Sequence, residues 1–111
     1  GFMFISEKKV KGVKVLELIG RIDAQSGHFK DDLLQLVEND SKIIIDCNEL
    51  NYINSSGLRD FLVVLKDTKE ANSKLVVCNL QNNIKEIFKI SGFLNLIELY
   101  DTFEDALNSF Q

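Results

Sequence analysis

A chain of 111 residues fits one domain with a sizeable core, and not two. With 27% charged and 45% hydrophobic residues, intrinsic disorder is excluded. The net charge of −4, with no stretch that concentrates Lys and Arg, argues against nucleic acid and anionic membrane surfaces as partners.

Phe2-Met3-Phe4-Ile5 is apolar but too short for a signal peptide, and it lacks a basic leader. Gly1 reads as a tag remnant and is set aside. Phe2 to Ser6 and Val13 to Ile19 read as strands of a hairpin joined through Lys11-Gly12, with Gly20 ending the second. Ser26 or Gly27 opens a helix whose apolar positions Phe29, Leu33, Leu36 and Val37 recur at helical spacing, and it fades at Asn39-Asp40. Lys42 to Cys47 is an unbroken aliphatic run, as expected of a strand covered on both faces. Asn48 to Gly57 reads as a long loop, and Ser56 to Asn72 as a helix with Leu58, Phe61, Leu62 and Leu65 on one stripe. Leu75 to Cys78 is the next strand. Asn83 to Ser91 is a helix closed by Gly92, Leu96 to Tyr100 a last strand, and Thr102 to Phe110 a final helix. Thr102 with Asp105 forms a loose capping box.

Strand and helix alternate through the second half, which implies right-handed crossovers and a parallel sheet. The expected fold is α/β: a mixed, mostly parallel sheet with an N-terminal antiparallel hairpin and about four helices. With no proline, linker or low-complexity tract, residues 1–111 read as a single domain. No apolar run approaches the ~20 residues of a spanning helix, so no direct membrane insertion is expected. Cys47 and Cys78 each follow an aliphatic run and read as buried thiols in a reducing, cytoplasmic setting. One His and no CxxC leave no metal constellation, and no cofactor is expected.

In a parallel α/β sheet, function gathers beyond the carboxyl ends of the strands. The Asn48–Gly57 loop is such a place, and it runs directly into a helix. Asn54, Ser55 and Ser56 can each cap that helix, and Gly57 leaves the backbone open to close approach. A phosphate on a serine here would meet the positive end of the helix dipole and its unpaired amides. It would add about −1.5 to −2 charges at a surface without melting the helix. On physics alone, simple capping is the commoner role of such a Ser-Ser-Gly. Asp23 and Asp46 allow a paired-carboxylate reading, but with no nucleophile–base pair an enzyme is not expected. Turn formation and a polar strand end are the plainer readings. His28 reads as a surface residue, and Lys66, Asp67, Lys69 and Glu70 as a solvated helix face. Phe93 and Leu94 read as a buried pair, or, if exposed, as a contact patch.

Tyr52-Ile53-Asn54-Ser55-Ser56-Gly57-Leu58 resembles the signature of STAS domains of the bacterial anti-sigma factor antagonist type, which carry Asp-Ser-Ser-Gly-Leu or Asp-Ser-Thr-Gly-Leu between a strand and a helix. Gly20-Arg21-Ile22-Asp23 is similar to the family's Gly-x-Leu/Ile-Asp turn, and Ile43-Ile44-Ile45-Asp46 to its aliphatic strand ending in Asp. The order of elements agrees over essentially the whole chain. The resemblance makes Ser56, immediately before the Gly, the phosphoacceptor, and Ser55 its unmodified neighbour. It places Asp23 and Asp46 near the phosphosite. Asn54 stands where the family usually has Asp, keeping the capping oxygen without the charge. Arg59 stands where the family is usually small or apolar; it tunes partner choice or is a plain exposed cation.

The resemblance implies a partner-switching, transcription-regulating protein rather than a catalyst. Unphosphorylated, it would bind an anti-sigma factor with a histidine-kinase-like ATP-binding fold, through Asp23, Asp46 and Asn54 to Arg59, with the Asn48–Gly57 loop and the exposed face of the second helix as the docking surface. Phosphorylation of Ser56 by that kinase would release it, and a serine phosphatase would reset it. A dimer is left open. The alternatives are an accessory subunit of an ABC-type lipid-transporter ATPase, or a phosphorylation-independent scaffold. A nucleotide-binding STAS domain ranks last, since no Gly-rich phosphate cradle is present.

Overall fold

The computed structural model describes residues 2–23 and 26–111, so Gly1 lies outside it. The chain first forms β1 (Met3–Val10) and β2 (Val13–Ile22), antiparallel in register from Met3↔Gly20 to Val10↔Val13. Lys11 at φ 50° and Gly12 at φ 80° make the two-residue turn, which needs positive φ at both positions. There follow α1 (Phe29–Val37), β3 (Lys42–Asp46), β4 (Leu50–Ile53), α2 (Ser55–Glu70) and β5 (Lys74–Cys78). The chain ends with α3 (Asn82–Ile90), a 3-10 turn (Leu94–Leu96), β6 (Leu99–Tyr100) and α4 (Phe103–Asn108). The mixed α/β architecture with four helices is the one the alternation implied.

The sheet order is β1-β2-β3-β5-β6, with β4 also beside β2. Every pair except β1–β2 is parallel. Alternation along the strands divides the apolar side chains between two faces. Leu16, Leu18, Ile43, Ile45 and Val77 face the cluster that buries Phe29 of α1, Phe61 of α2 and Phe88 of α3. Val15, Ile44, Val76 and Cys78 face the smaller cluster closed by Ala106 and Leu107 of α4. Coverage on both faces explains why β3 and β5 read as continuous aliphatic runs.

Several boundaries differ from the sequence reading, among them the end of β1, which runs to Val10 rather than Ser6. Gly20 does not end β2: a register shift between Gly20 and Arg21 acts as a bulge, and pairing resumes through Ile22. The long loop Asn48–Gly57 contains β4, which shares one edge of β2 with β3. β3 takes Lys14 to Glu17, and β4 takes Gly20 to Ile22. With only Leu50 and Ile53 buried, β4 is too short and too rich in Asn for alternation to reveal it. Helix α1 begins at Phe29 rather than Ser26 or Gly27. The Ser26 hydroxyl turns back to β2 instead, accepting from Asp23 N at 2.7 Å and donating to Arg21 O at 2.9 Å. The last strand shrinks to Leu99–Tyr100, because Leu94–Leu96 coils into the 3-10 turn. No helix among the described residues is long and apolar enough to cross a membrane.

Candidate functional site at the start of helix α2

The end of β4 and the start of α2 are joined through Asn54. Its amide extends the sheet by donating to Ile22 O at 3.0 Å, and its carbonyl accepts the first helical bond from Leu58 N at 2.9 Å. Its side-chain oxygen accepts from Gly57 N at 2.8 Å. Asn54, with extended backbone, is thus the cap, and Ser55 and Ser56 are the first two helical residues. Of the three capping candidates the structure uses Asn54 alone. Both serines are exposed, and the Ser56 hydroxyl makes no hydrogen bond with any described residue. The first turn of α2 carries no acidic residue.

Gly57 acts differently from its sequence reading. It is buried, and a Cβ there would overlap the side chain of Ile22 and come within 3.0 Å of Ile22 O and 3.1 Å of Ile53. The close approach it permits is therefore of α2 onto β2 and β4, not of a partner onto the backbone. Leu58 is buried behind it, while Arg59 is exposed.

Asp23 lies one residue beyond Ile22, beside the cap. Its amide is fixed by Ser26, and its carboxylate is 3.7 Å from Arg21 Nε. The Arg21 guanidinium in turn sits 4.2 Å over the ring of Tyr52, its register partner on β4. Asp46 stands apart. It pairs with Glu17, whereas Ile53 pairs with Ile22, a displacement of roughly 16 Å along β2. Its Oδ1 accepts from Asn48 N at 3.0 Å and from Asn79 Nδ2 at 3.1 Å. Gln81 and Asn83 extend this corner by donating to Asn48 O and Asn51 O. Asp46 thus ties the turn after β3 to the one after β5, instead of joining Asp23 near Ser56.

Burial, with Asp46 nearby, pushes the Cys78 thiol up to about 12, and burial holds Cys47 well above the usual thiol range. Both are free, buried and protonated at neutral pH, with Cys78 ending β5 and Cys47 just after β3. Among the described residues no three His, Cys, Asp or Glu side chains gather to hold a metal ion. Beside Ser55, a cavity of about 550 Å³ opens between α2 and α3, lined by Tyr52, Leu58, Arg59, Leu62, Ile87 and Phe93 among others. The sequence placed Arg21 and Tyr52 in the family-like motifs without a role of their own, and Leu62 and Ile87 only as apolar helix positions. The helical spacing of Ser55, Arg59 and Leu62 was the signal available for this groove.

Comparison with known proteins places this arrangement. A family model described as the STAS domain matches residues 5–106. The chain belongs to the STAS domain family. A protein of Bordetella bronchiseptica named as an anti-sigma factor antagonist, BtrV, is 29% identical over 111 residues, spanning 98% of this chain and 96% of its own. A crystal structure of an anti-sigma factor antagonist from Mycobacterium paratuberculosis superposes with a TM-score of 0.81 at 20% identity, covering 97% of this chain and 93% of the other. The Bacillus cell fate determinant SpoIIAA in its phosphorylated form gives 0.73 at 17% identity, over 97% and 100% of the two chains. At those identities the two structures establish that the STAS fold is shared.

Proposed function

We propose that this STAS domain is an anti-sigma factor antagonist, a binding module rather than an enzyme, whose hold on its partner is switched by phosphorylation of Ser56. The observation that carries the reading is the state of Ser56. Asn54 takes the capping role, so the Ser56 hydroxyl is exposed, has no hydrogen-bond partner among the described residues, and stands in a first turn without carboxylates. A phosphate on it would sit at the helix N-terminus, where amides and dipole favour an anion. The fold would persist while the surface gained about two negative charges. Asp23, beside the cap, adds a like charge, so an acidic partner surface would be repelled after modification.

The partner is an anti-sigma factor with a histidine-kinase-like ATP-binding fold, which supplies the catalytic groups; a serine phosphatase restores the free hydroxyl. The names of the relatives support an anti-sigma factor as the partner. Wild-type protein and a Ser56→Asp variant, each immobilised and exposed to lysate of the source cells, test the reading by mass spectrometry of what is retained. Retention of such an anti-sigma factor by the wild type, with loss on the Asp column, is expected. Retention of a transporter ATPase equally by both columns would replace it with the transporter-subunit reading and leave Ser56 without a switching role.

A further inference from the structure

The groove beside Ser55 does not stop at the start of α2. Leu62 lines both the first cavity and a second of about 300 Å³, which also touches Leu65, Lys66, Lys69 and Leu96. Leu65, Lys69 and Leu96 then line a third cavity, reaching Lys74, Ile97 and Glu98. The three adjoin along α2 as one trough through these shared residues, facing α3 at the first cavity, Leu96 of the 3-10 turn at the second, and β5 with Glu98 at the third. Ser55, Arg59, Leu62, Lys66 and Lys69 recur every three or four residues, so they form one line along the helix. From Ser55 to Lys69 that line runs roughly 21 Å.

The floor and rim have different chemistry. Leu58, Leu62, Leu65, Ile87, Phe93 and Leu96 give an apolar floor, and Leu96 leaves 69% of its surface exposed. Arg59, Lys66 and Lys69 are the charged residues of the first two cavities, with no carboxylate among the described lining residues. Glu98 enters only at the far end, where Lys74 lies 3.7 Å from it. In a chain of net charge −4, this is a local reversal of sign. Asp60 and Asp67 lie off the line; Glu70, one turn beyond Lys66, meets it at 4.0 Å, an exposed i,i+4 contact of little strength. Lys66, Asp67, Lys69 and Glu70 are all exposed, as a solvated helix face requires.

We propose that this trough docks an amphipathic helix of a partner protein, about four turns long, with an apolar stripe flanked by carboxylates. The length of the trough sets the number of turns, the apolar floor requires anchors at i, i+3/i+4 and i+7, and the cationic rim selects acidic flanks. A basic helix would meet three like charges. The grip lies along α2, and a phosphate on Ser56, beside Ser55 at the trough's mouth, would weaken it by repelling the acidic flanks.

The test uses the whole unphosphorylated protein and a fluorescent synthetic peptide of about 16 residues, with Leu at the anchor positions and Glu on both flanks. Two control peptides carry Lys for every Glu, or the same composition with the Leu positions scrambled. Anisotropy titrations should give saturable binding at or below about 1 mM for the acidic peptide, and about tenfold or more weaker binding for each control. Amide shifts should concentrate on Arg59, Leu62, Lys66 and Leu96. Reversing Lys66→Glu with Lys69→Glu, or introducing Leu96→Glu, should weaken binding about tenfold or more; both changes lie on exposed positions, and circular dichroism checks the fold. Absence of binding, equal binding of either control, shifts elsewhere, or insensitivity to the variants would each overturn the proposal. So would concentration-dependent self-association lost in Leu96→Glu, which assigns the trough to a second copy. Binding to anionic phosphatidylglycerol vesicles in place of the peptide would also overturn it, assigning the trough to lipid.

Discussion

Helices α2 and α4 both begin behind a side chain that accepts from the third helical amide, Asn54 to Gly57 at 2.8 Å and Thr102 to Asp105 at 3.1 Å. They then diverge. The first turn of α4 holds Glu104 and Asp105, which meet the positive end of its own dipole. The first turn of α2 holds Ser55, Ser56 and Gly57, with no carboxylate. One helix start is electrostatically complete, and the other is left for an anion to complete. The α2 start is also the one wedged against β2 and β4 through Gly57, so an added charge would sit on a rigid support. Rigid backing with an unfilled charge preference suits a modification site better than either property alone.

The largest effect should come from the wedge. Gly57→Ala forces a methyl into Ile22 and should cost about 2 kcal/mol by urea denaturation, as overpacking does. An unchanged midpoint would mean that α2 is not tightly seated. The caps come next. Asn54→Ala should cost about 1 kcal/mol, and Thr102→Ala about half of that, because α4 is short and Thr102 is exposed. Equal losses would erase the distinction between the two starts.

Charge should act with opposite sign at the two helices. Ser56→Asp should stabilise by about 0.5 kcal/mol at low salt, a gain that fades as salt is added, whereas Glu104→Gln should destabilise by a similar amount. A destabilising Ser56→Asp would show that the α2 start does not prefer an anion. The smallest effect lies away from both helices. The Lys14 ammonium, 2.9 Å away, holds the Asp40 carboxyl below the usual carboxylate range. That contribution is present above about pH 4 and is lost as pH falls through the lower folded value. Asp40→Asn should therefore lose less stability than wild type between neutral and acid pH, by under about 1 kcal/mol. Identical losses would assign the pair no role in acid stability.

The continuous runs around Ile44 and Val76 could be read directly as central parallel strands, because burial on both faces removes polar alternation. The hairpin turn at Gly12 and the helix end at Gly92 were equally plain, since the positive φ at each favours glycine. β4 was not legible. Its four residues form a strand only because β3 ends early and frees the second half of β2's edge, which is a property of the pairing. The same limit applied to the candidate site. Ser55, Ser56 and Asn54 were visible as capping types, but all three qualify chemically, and only the amide geometry of the folded turn selects Asn54. Asp23 and Asp46 follow similar strands in the sequence, yet Asp46 pairs with Glu17, six residues or roughly 20 Å before Asp23 along β2. The trough along α2 has its cations in the sequence, but its far wall comes from α3, the 3-10 turn and β5.

By itself the sequence determined the α/β class, the parallel core and the Ser-Ser-Gly helix start, because periodicity, turn chemistry and capping act over a few neighbouring residues. The tertiary structure alone decided which residue caps, why Gly57 must be glycine, where Asp46 stands and what faces α2. Each of those depends on contacts between segments distant along the chain, set by sheet register and packing.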